Sequence, residues 1–413
     1  VEIWGKLTED NLSSVQIQKG TTYQNSYGKT LAGSGPIGWN HDRTAEGVAD
    51  MVGNVWEHVG GVRFLNGQVQ IIPNNEAAAG ADQSPDSKEW TAIYTPDGDP
   101  VYYNVKDGEI VLQPTAPKEK DYDGVPFCDL HERTDMEVPD KLIELGLYPA
   151  PDYESEEYFW LDTDGERCVY RGGCWHNGVR AGVFSLSGDY SRSYSNPNIG
   201  FRSALVRYSG DSGDLDHLDD DPTDMRNEIV YDDRGRPDIL VVFTPDELKL
   251  PDTLKGRKVK EYAISKYPNT MIDGRPYSLP FMPPAVNVNH DEAIRLCEAK
   301  GPGWHLITND EWAALGHQSW ENDTVPTGNT SSGKSHSHPE QTGAGLTVGT
   351  YTDLVLVSET STVSPDGTVL TSYHLREKTD EEKRPDALEE GQTVQDGAIS
   401  DLGSATSALA DQI

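Results

Sequence analysis

The stretch that decides the fold of this chain is Tyr170–Leu205, which reads YRGGCWHNGVRAGVFSLSGDYSRSYSNPNIGFRSAL. Glycine, arginine and large apolar residues recur along it, as expected where a backbone turns or a side chain packs. These framework positions are Arg171, Gly172, Gly173, Trp175, Gly178, Ala181, Gly182, Phe184, Arg192 and Ile199–Arg202. Small polar residues and tyrosines fill the positions between them, so the pattern predicts a fixed framework that carries interchangeable side chains.

The side chains between the framework positions share a property at the level of the codon. Each type, including Cys, His, Val, Arg, Ser, Asp and Tyr, is reached from an asparagine codon by replacing its adenines. Mutagenesis confined to adenines would leave this signature, whereas the alternative is an ordinary polar loop rich in serine and asparagine. With Trp175 added as an aromatic anchor, the candidate ligand-binding residues are Cys174, Trp175, His176, Asn177, Val179, Arg180, Ser185, Ser187, Asp189, Tyr190, Tyr194 and Asn196.

Such a segment is expected to bind a ligand in the way that antibody loops do. Tyrosine supplies rigid amphipathic contact area, while serine, asparagine and glycine supply adaptable hydrogen bonds. A few residues dominate most binding surfaces. The expected anchors are Tyr190, Tyr194, His176, Trp175 and Arg180. We expect the interchangeable positions to be exposed, and Phe184, Ile199 and Phe201 to be buried.

Four segments of the chain together resemble one known family. They are Gly301–Trp312 (GPGWHLITNDEW), Asp50–Glu57 (DMVGNVWE), Arg171–Trp175 (RGGCW) and Asn198–Arg202 (NIGFR). They are similar to the formylglycine-generating (sulfatase-modifying factor) branch of the C-type-lectin fold, and more closely to variable proteins of diversity-generating retroelements. The likeness covers residues 20–208 and 238–345. It implies an α+β, C-type-lectin-like domain with short strands, two or more helices and much irregular loop.

The resemblance also implies a structural calcium ion at the loop that contains Gly-Asn-Val-Trp-Glu. Carried over by position, the ligands would be the carboxylates of Asp50 and Glu57 and the backbone carbonyls of Gly53 and Val55. Hard oxygen ligands from one short irregular loop suit Ca²⁺. The alternative is that Trp56 belongs to the core and Glu57 is a hydrogen-bonded framework residue.

Catalysis is not expected, although the resemblance includes an enzyme family. The formylglycine-generating enzymes use cysteines shortly after the Gly-Gly-x-aromatic motif, and Asn177 and Gly182 occupy those positions here. Cys174 lies on the other side of Trp175, so the required thiolate is missing. A catalytic relative of those enzymes remains an alternative. So does a carbohydrate-binding lectin, although no Glu-Pro-Asn or Gln-Pro-Asp triplet is present.

The order of the segments departs from the family, because the Asn-x-Glu-Trp piece at Asn309–Trp312 follows Gly200–Arg202 instead of preceding it. The chain therefore reads as circularly permuted, which is tolerated when termini lie close at the surface. Residues 1–208 would be the C-terminal half of the domain with the variable region 170–205, and 225–345 its N-terminal half. Residues 209–224 read as an acidic linker, and 346–413 as a small β element with a weakly ordered tail. The alternative is two half-domains that pair with other copies.

Composition limits the classes of partner. The 413 residues carry a formal net charge of −35, which opposes binding to nucleic acid or to anionic membrane. No apolar run approaches the roughly 18 residues of a membrane span, so no membrane insertion is expected, and no signal peptide is visible. The four cysteines are too scattered for a disulfide framework, with one disulfide left open. The acidic run and the pair His336 and His338 are more typical of solvated loops than of metal sites.

Local signals predict individual elements. Asn66-Gly67 between apolar runs indicates a hairpin over Val62–Ile72. Helices are expected at Pro139–Leu147, at Val288–Cys297 behind an asparagine cap, and from Thr308 with a Thr308–Glu311 capping box. Strands are expected at Asp238–Thr244 and Glu261–Ser265. In the last segment, Leu354–Val357 and Val369–His374 would form a strand pair around the turn Ser364–Gly367.

Taken together, the sequence predicts a non-enzymatic, hypervariable ligand- or receptor-binding protein. Its ligand would be a protein or glycan on a target cell surface. The chain itself would be displayed on a phage tail within a virion or on a bacterial cell surface. Oligomerisation or attachment to a larger particle would add avidity to weak single-site binding.

Overall fold

Asn66 and Gly67 form the predicted turn in a computed structural model that describes residues 20–210 and 226–335, together with the backbone of 354–363 and 369–377. Both residues have positive φ, 50° and 79°, as the tight turn of a two-residue hairpin demands. The turn joins strands β1 (Trp56–Leu65) and β2 (Gln68–Ile71), which pair antiparallel. The hairpin prediction is therefore confirmed.

This hairpin belongs to a large mixed sheet of eleven strands among the described residues. Its other strands are β3 (Thr91–Ala92), β4 (Tyr102–Lys106), β5 (Glu109–Gln113), β6 (Tyr122–Pro126), β7 (His131–Glu132), β8 (Tyr158–Asp162), β9 (Glu166–Arg171), β10 (Leu186–Tyr190) and β11 (Ile199–Phe201). In space the strands follow the order β6-β8-β10-β9-β1-β2-β4-β5-β7, with β3 beside β2 and β11 beside β1. Strand β1 runs antiparallel to β9 and parallel to β11, so it holds both ends of the segment 170–205.

A second sheet joins the two parts of the chain. Its strands are β12 (Ser203–Tyr208), β13 (Asn227–Tyr231), β14 (Pro237–Phe243), β15 (Thr253–Leu254), β16 (Arg257–Ser265) and β19 (Trp304–Leu306), and β17 (Thr270–Ile272) with β18 (Arg275–Tyr277) forms a separate hairpin. Strand β12 precedes the acidic run, yet it lies between β16 and β19, which follow that run. Residues 18–338 accordingly cluster into one compact unit.

Four α-helices occur in the described residues. They are α1 (Asp140–Glu144), α2 (Pro245–Leu248), α3 (His290–Glu298) and α4 (Asn309–Glu321). Asn289 caps α3 by accepting a hydrogen bond from the backbone N–H of Glu292 at 3.0 Å. Thr308 and Glu311 form the predicted capping box at the start of α4, with hydrogen bonds of 3.0 and 3.1 Å. The helix starts are confirmed, while α1 is shorter than predicted. None of the described helices has the length and apolar character needed to cross a membrane.

Helix α4 packs against the segment that the sequence singled out. Trp312 is fully buried, and its indole N–H donates to the carbonyl of Val183 at 2.7 Å. Gly172 lies beneath this ring with φ 88°, and a Cβ there would stand 3.2 Å from Trp312 and 2.5 Å from the Met51 carbonyl. Only glycine fits this close approach at a positive φ without strain. Trp312 thus ties the start of the segment to a helix from the far part of the chain.

The fold class is mixed α+β, as expected, with mostly short strands, few helices and irregular connections. A separate unit contains the strands β20 (Leu354–Val363) and β21 (Val369–Glu377). These two strands pair antiparallel, and this confirms the predicted strand pair. The acidic linker from 211, the pair His336 and His338, the turn Ser364–Gly367 and the predicted tail after 377 lie outside the described residues.

Candidate ligand-binding surface

The segment 170–205 begins at a buried arginine that fixes its backbone. Arg171 ends β9, and its guanidinium donates to the side-chain oxygen of Asn309 at 2.6 and 3.0 Å. It also donates to the backbone carbonyls of Leu145, Gly146 and Phe184 at 2.8, 2.9 and 3.2 Å. Five donors of one planar group are therefore shared among three separate parts of the chain.

A buried carboxylate fixes the middle of the segment. Glu157 accepts hydrogen bonds from the backbone N–H groups of Phe184 and Ser185, both at 2.9 Å. A Cβ at Gly182 would stand 1.9 Å from this carboxylate, so glycine is required there. Burial raises the pKa of Glu157, although the hydrogen bonds it accepts oppose the rise. Phe184, Ile199 and Phe201 are buried, as the sequence predicts.

The structure divides the twelve candidate residues into two groups by exposure. Eight are accessible: His176, Arg180 and Tyr190 are exposed, and Asn177, Val179, Asp189, Tyr194 and Asn196 are half-buried. Four are buried: Cys174, Trp175, Ser185 and Ser187. The expectation that the interchangeable positions are all exposed is therefore wrong for Cys174, Ser185 and Ser187. Trp175, chosen as an anchor, is also largely covered.

Three of these buried residues, Cys174, Ser185 and Ser187, contact parts of the chain that are distant in sequence. Cys174 packs with Trp56, Tyr170 and Ile199 in an aromatic cluster beneath the segment. The Ser185 hydroxyl lies 3.0 Å from the carbonyl of Arg180 and 3.3 Å from that of Tyr158. Ser187 lies on β10, between β8 and β9.

The described cysteines do not form disulfides and are not activated. All four are free thiols. Burial raises the pKa of Cys174 to about 11 and that of Cys168 to about 12. Burial also raises the pKa of Cys128 and of Cys297. Near neutral pH all four therefore remain protonated thiols, which are poor nucleophiles.

The two exposure groups should respond differently to substitution. His176→Ala and Arg180→Ala are expected to change the free energy of unfolding by no more than about 0.5 kcal/mol, because these side chains are exposed. Ser185→Leu should lower it by about 2 kcal/mol, because the larger side chain has no room in a packed site. Chemical denaturation of the three variants measures both effects. Equal losses at all three positions would contradict this division.

Aromatic rings and cations cover the accessible part of the segment. The rings of Tyr190 and Tyr194 stack with centroids 4.0 Å apart and an interplanar angle of 8°. The side-chain N–H of Asn196 donates to the Tyr194 hydroxyl at 2.6 Å. At the other end, the Lys29 ammonium lies 4.9 Å from the centre of the Trp175 ring, and both of these side chains are buried. The stack of Tyr190 and Tyr194 is held rigidly at the surface, which favours contact with a ligand at low entropic cost.

Two histidines lie under this surface. His58 and His290 are fully buried with ring centroids 5.6 Å apart, and the ring of Tyr170 lies 4.6 Å from that of His58. Arg192 donates to Nδ1 of His290 at 3.3 Å, so Nε2–H of His290 donates to the carbonyl of Val59 at 3.2 Å. Burial, together with the charge of Arg192, lowers the pKa of His290 to about 4. His290 is therefore neutral in the folded protein near pH 7.

Acid should destabilise the fold through His290. An unfolded chain protonates histidine below about pH 6.5, whereas the folded chain does so only near pH 4. Stability is therefore unaffected above the unfolded pKa and falls as the pH drops below it. Between about pH 7 and pH 5, His290 alone should cost about 2 kcal/mol.

The test compares denaturation of wild type and His290→Gln at both pH values. The variant should lose about 2 kcal/mol less than wild type on acidification. His131→Gln, at an exposed histidine on β7, is the matched control and should behave as wild type does. An unchanged pH dependence in His290→Gln would contradict the assignment.

The predicted calcium ligands do not all fit that role. Both carboxylate oxygens of Glu57 accept hydrogen bonds from the Arg202 guanidinium, at 2.6 and 2.7 Å. The pair is buried, with side-chain exposures of 1% and 0%. A carboxylate that is neutralised by a bidentate arginine is a poor cation ligand. Glu57 and the buried Trp56 thus match the framework alternative, while the roles of Asp50, Gly53 and Val55 stay predictions.

Comparison with known proteins gives no relative from which a function of this chain follows. A scan against protein-family models and a search among curated proteins both find no match. The contacts described above are therefore the basis for any functional conclusion.

Sequence reasoning missed several residues that shape this surface. Glu157 and Lys29 carried no motif. Trp160 lies on β8, which is next to β10, and Tyr122 lies on β6 on the other side of β8; neither strand was predicted. The alternation of Tyr158, Phe159, Trp160, Leu161 and Asp162 is a period-two signal that identifies a strand with one apolar and one mixed face. It could have indicated Trp160 as a surface neighbour of the segment.

Proposed function

We propose that this chain is a non-enzymatic ligand-binding protein that presents interchangeable residues on a C-type-lectin-type scaffold, as variable proteins of diversity-generating retroelements do. One observation carries the proposal. In residues 170–205 the framework side chains Arg171, Phe184, Ile199, Phe201 and Arg202 are buried, while eight of the twelve interleaved candidates are accessible. A surface that varies without unfolding its support needs this division.

Contacts between the four resembling segments support the scaffold part of the proposal. Glu57 of the second segment pairs with Arg202 of the fourth. Arg171 of the third segment binds Asn309 of the first. In a permuted chain these segments must meet in space although their order along the sequence is changed. Strand β12, enclosed by β16 and β19, agrees with a permuted arrangement.

The non-enzymatic part of the proposal rests on the side chains at the expected catalytic positions. Asn177 and Gly182 stand where the resembling enzymes carry cysteines. The nearby Cys174 is buried, and burial raises its pKa. The ligand would be a protein or glycan on a cell surface, met by a phage tail or by another bacterial cell. Display in several copies would strengthen weak single-site contacts.

Sequencing the DNA that flanks the gene tests this proposal. We expect a near-copy of the coding segment for residues 170–205 that differs only at adenines, beside a gene for a reverse transcriptase. The coding segment for residues 102–113, which form the β4–β5 hairpin, is the matched control and should have no such copy. Absence of the near-copy, or differences spread over all four bases, would overturn the proposal of diversification.

A further inference from the structure

One face of the large sheet continues the candidate surface beyond the segment 170–205. Strands β6, β8 and β10 are neighbours in that order. Tyr122 on β6 is paired in register with Asp162 on β8, and Leu161 is paired with Gly188 on β10. The next residues along these two parallel strands are Asp162 and Asp189, so they are also in register. Side chains in register project to the same side of the sheet. Tyr122, Asp162 and Asp189 therefore form a row across three strands.

Two more tyrosines join this row. The register between β9 and β10 shifts between Ser187 and Tyr190, and such irregularities re-aim a side chain. Tyr190 stacks on Tyr194 and lies 6.1 Å from the ring of Tyr170, centroid to centroid. Burial is the largest cause of the raised pKa of Tyr122 and of Tyr190, and the charge of Asp189 raises both further, so the three groups are close. We call Tyr122, Asp189, Tyr190 and Tyr194 the tyrosine–aspartate patch.

The carboxylates of the row differ in their partners. Asp162 forms an ion pair with Arg167 at 2.5 Å. Asp189 accepts a hydrogen bond from the Ser187 hydroxyl, and within residues 20–210 and 226–335 it has no ion pair with a lysine or arginine. Burial raises its pKa and Asp162 raises it further, while the Ser187 hydrogen bond and the nearby Arg167 charge oppose the rise. A cation bound directly to Asp189 would stabilise its charged form.

One polar group next to the patch, the Tyr170 hydroxyl, lacks a hydrogen-bond partner among the described residues. The hydroxyl is buried, and burial is the largest cause of its raised pKa. Asp189, Tyr190 and Tyr194 also raise this pKa, which places the hydroxyl beside the patch. A buried hydroxyl without a hydrogen-bond partner destabilises the folded state. A polar ligand that entered between the tyrosines would offer it a partner.

The same surface already holds a cation on another aromatic ring. The guanidinium of Arg180, which is exposed, lies 4.8 Å from the centre of the Tyr158 ring. Tyr122 and Tyr190 are exposed at 52% and 37%, and no cation lies over either ring within the described part of the chain. The patch therefore combines two aromatic faces that carry no cation with a carboxylate that has no direct ion pair among the described residues.

We propose that the tyrosine–aspartate patch binds the guanidinium or ammonium group of an arginine or lysine side chain in a protein ligand. The inference rests on the proposed ligand-binding function and names the chemistry that one part of the surface recognises. The net charge of −35 attracts a basic partner at long range. Asp189 supplies the short-range charge, and the tyrosine rings supply cation–π contact.

A labelled hexapeptide with two central arginines is the probe, and the same peptide with citrulline is its neutral counterpart. Binding to the full chain is measured by fluorescence anisotropy at low and physiological salt. We expect the arginine peptide to bind, and the citrulline peptide to bind about tenfold more weakly. Asp189→Asn should weaken arginine-peptide binding about tenfold, and Tyr190→Ala about fivefold. Tyr190→Phe keeps the ring and should bind as wild type does.

The chain offers a matched control for unspecific attraction. Tyr94 and Asp97 are exposed and lie on another loop, so Tyr94→Ala and Asp97→Asn remove the same groups outside the patch. These two variants should bind the arginine peptide as wild type does. Equal losses in control and patch variants, equal binding of the citrulline peptide, or binding of a glycan instead of the peptide would overturn the proposal. Thermal unfolding of each variant verifies that it is folded.

The two proposals fail in different ways. If the flanking DNA lacks a near-copy but the patch variants lose peptide binding, diversification is wrong and the cation site stands. If the near-copy is present but neither peptide binds, the cation site is wrong and the ligand-binding surface stands.

Discussion

Replacing Arg202 with methionine is expected to lower the free energy of unfolding by about 3–5 kcal/mol. Arg202 is fully buried, and its guanidinium is bidentate to Glu57 at 2.6 and 2.7 Å. It also donates to the carbonyls of Ala49 and Ser265 at 3.0 and 3.1 Å. Without it, the Glu57 carboxylate would remain buried with no counter-charge, which is the costly outcome for a buried pair.

A double-mutant cycle separates the ion pair from the packing of the side chains. Glu57→Gln and Arg202→Met should each destabilise, and the double variant should lose less than the sum of the two, because it leaves no buried charge. Lys120→Met breaks the exposed pair of Lys120 with Asp164, and it should leave unfolding in urea unchanged within error. An Arg202→Met variant with the stability of wild type would show that the pair is not a support of the fold.

Replacing Arg171 with methionine should lower the free energy of unfolding by about 3–5 kcal/mol for a different reason. Here the guanidinium satisfies neutral acceptors: Asn309 and the carbonyls of Leu145, Gly146 and Phe184. Methionine would leave the Asn309 oxygen and the carbonyls of Gly146 and Phe184 buried without this donor, while the carbonyl of Leu145 would keep only its bond from the Asn309 side-chain N–H at 3.0 Å. Lysine should also destabilise, because one ammonium does not reproduce the planar fork of arginine.

Urea denaturation of Arg171→Met, Arg171→Lys and Arg180→Met measures these effects. Arg180 belongs to the same segment but is exposed, so its variant should stay within about 0.5 kcal/mol of wild type. The Arg171 variants should also weaken any ligand bound by residues 174–196, since the segment loses its anchor to α4. If Arg171→Met cost no more than Arg180→Met, the hydrogen-bond network would not be what holds the segment.

Local signals in the sequence predicted the parts of the fold whose cause is local. The Asn66-Gly67 turn, the Asn289 cap and the Thr308–Glu311 box depend on residues within a few positions of one another. Their geometry needs no distant partner, and each was predicted at its observed place. The helix α1 came out shorter than predicted.

The candidate site was predicted less completely, because exposure depends on contacts between distant residues. Cys174, Ser185 and Ser187 have the same polar or small character as their exposed neighbours. They are buried because Trp56, Tyr158 and Trp160 come from other strands to cover them. For Glu57 the sequence left two roles open, and the tertiary contact with Arg202 matches the framework role.

The sequence alone determined the mixed α+β class, the local turns and caps, and the alternation of framework and interleaved residues in 170–205. Only the tertiary structure decided which of those interleaved residues reach the surface and which neighbours they have there. Strands β6, β8 and β10 are adjacent in space although more than thirty residues separate the first from the second along the chain. Tyr122 therefore lies beside Asp189 through strand pairing, which no local pattern of residues encodes.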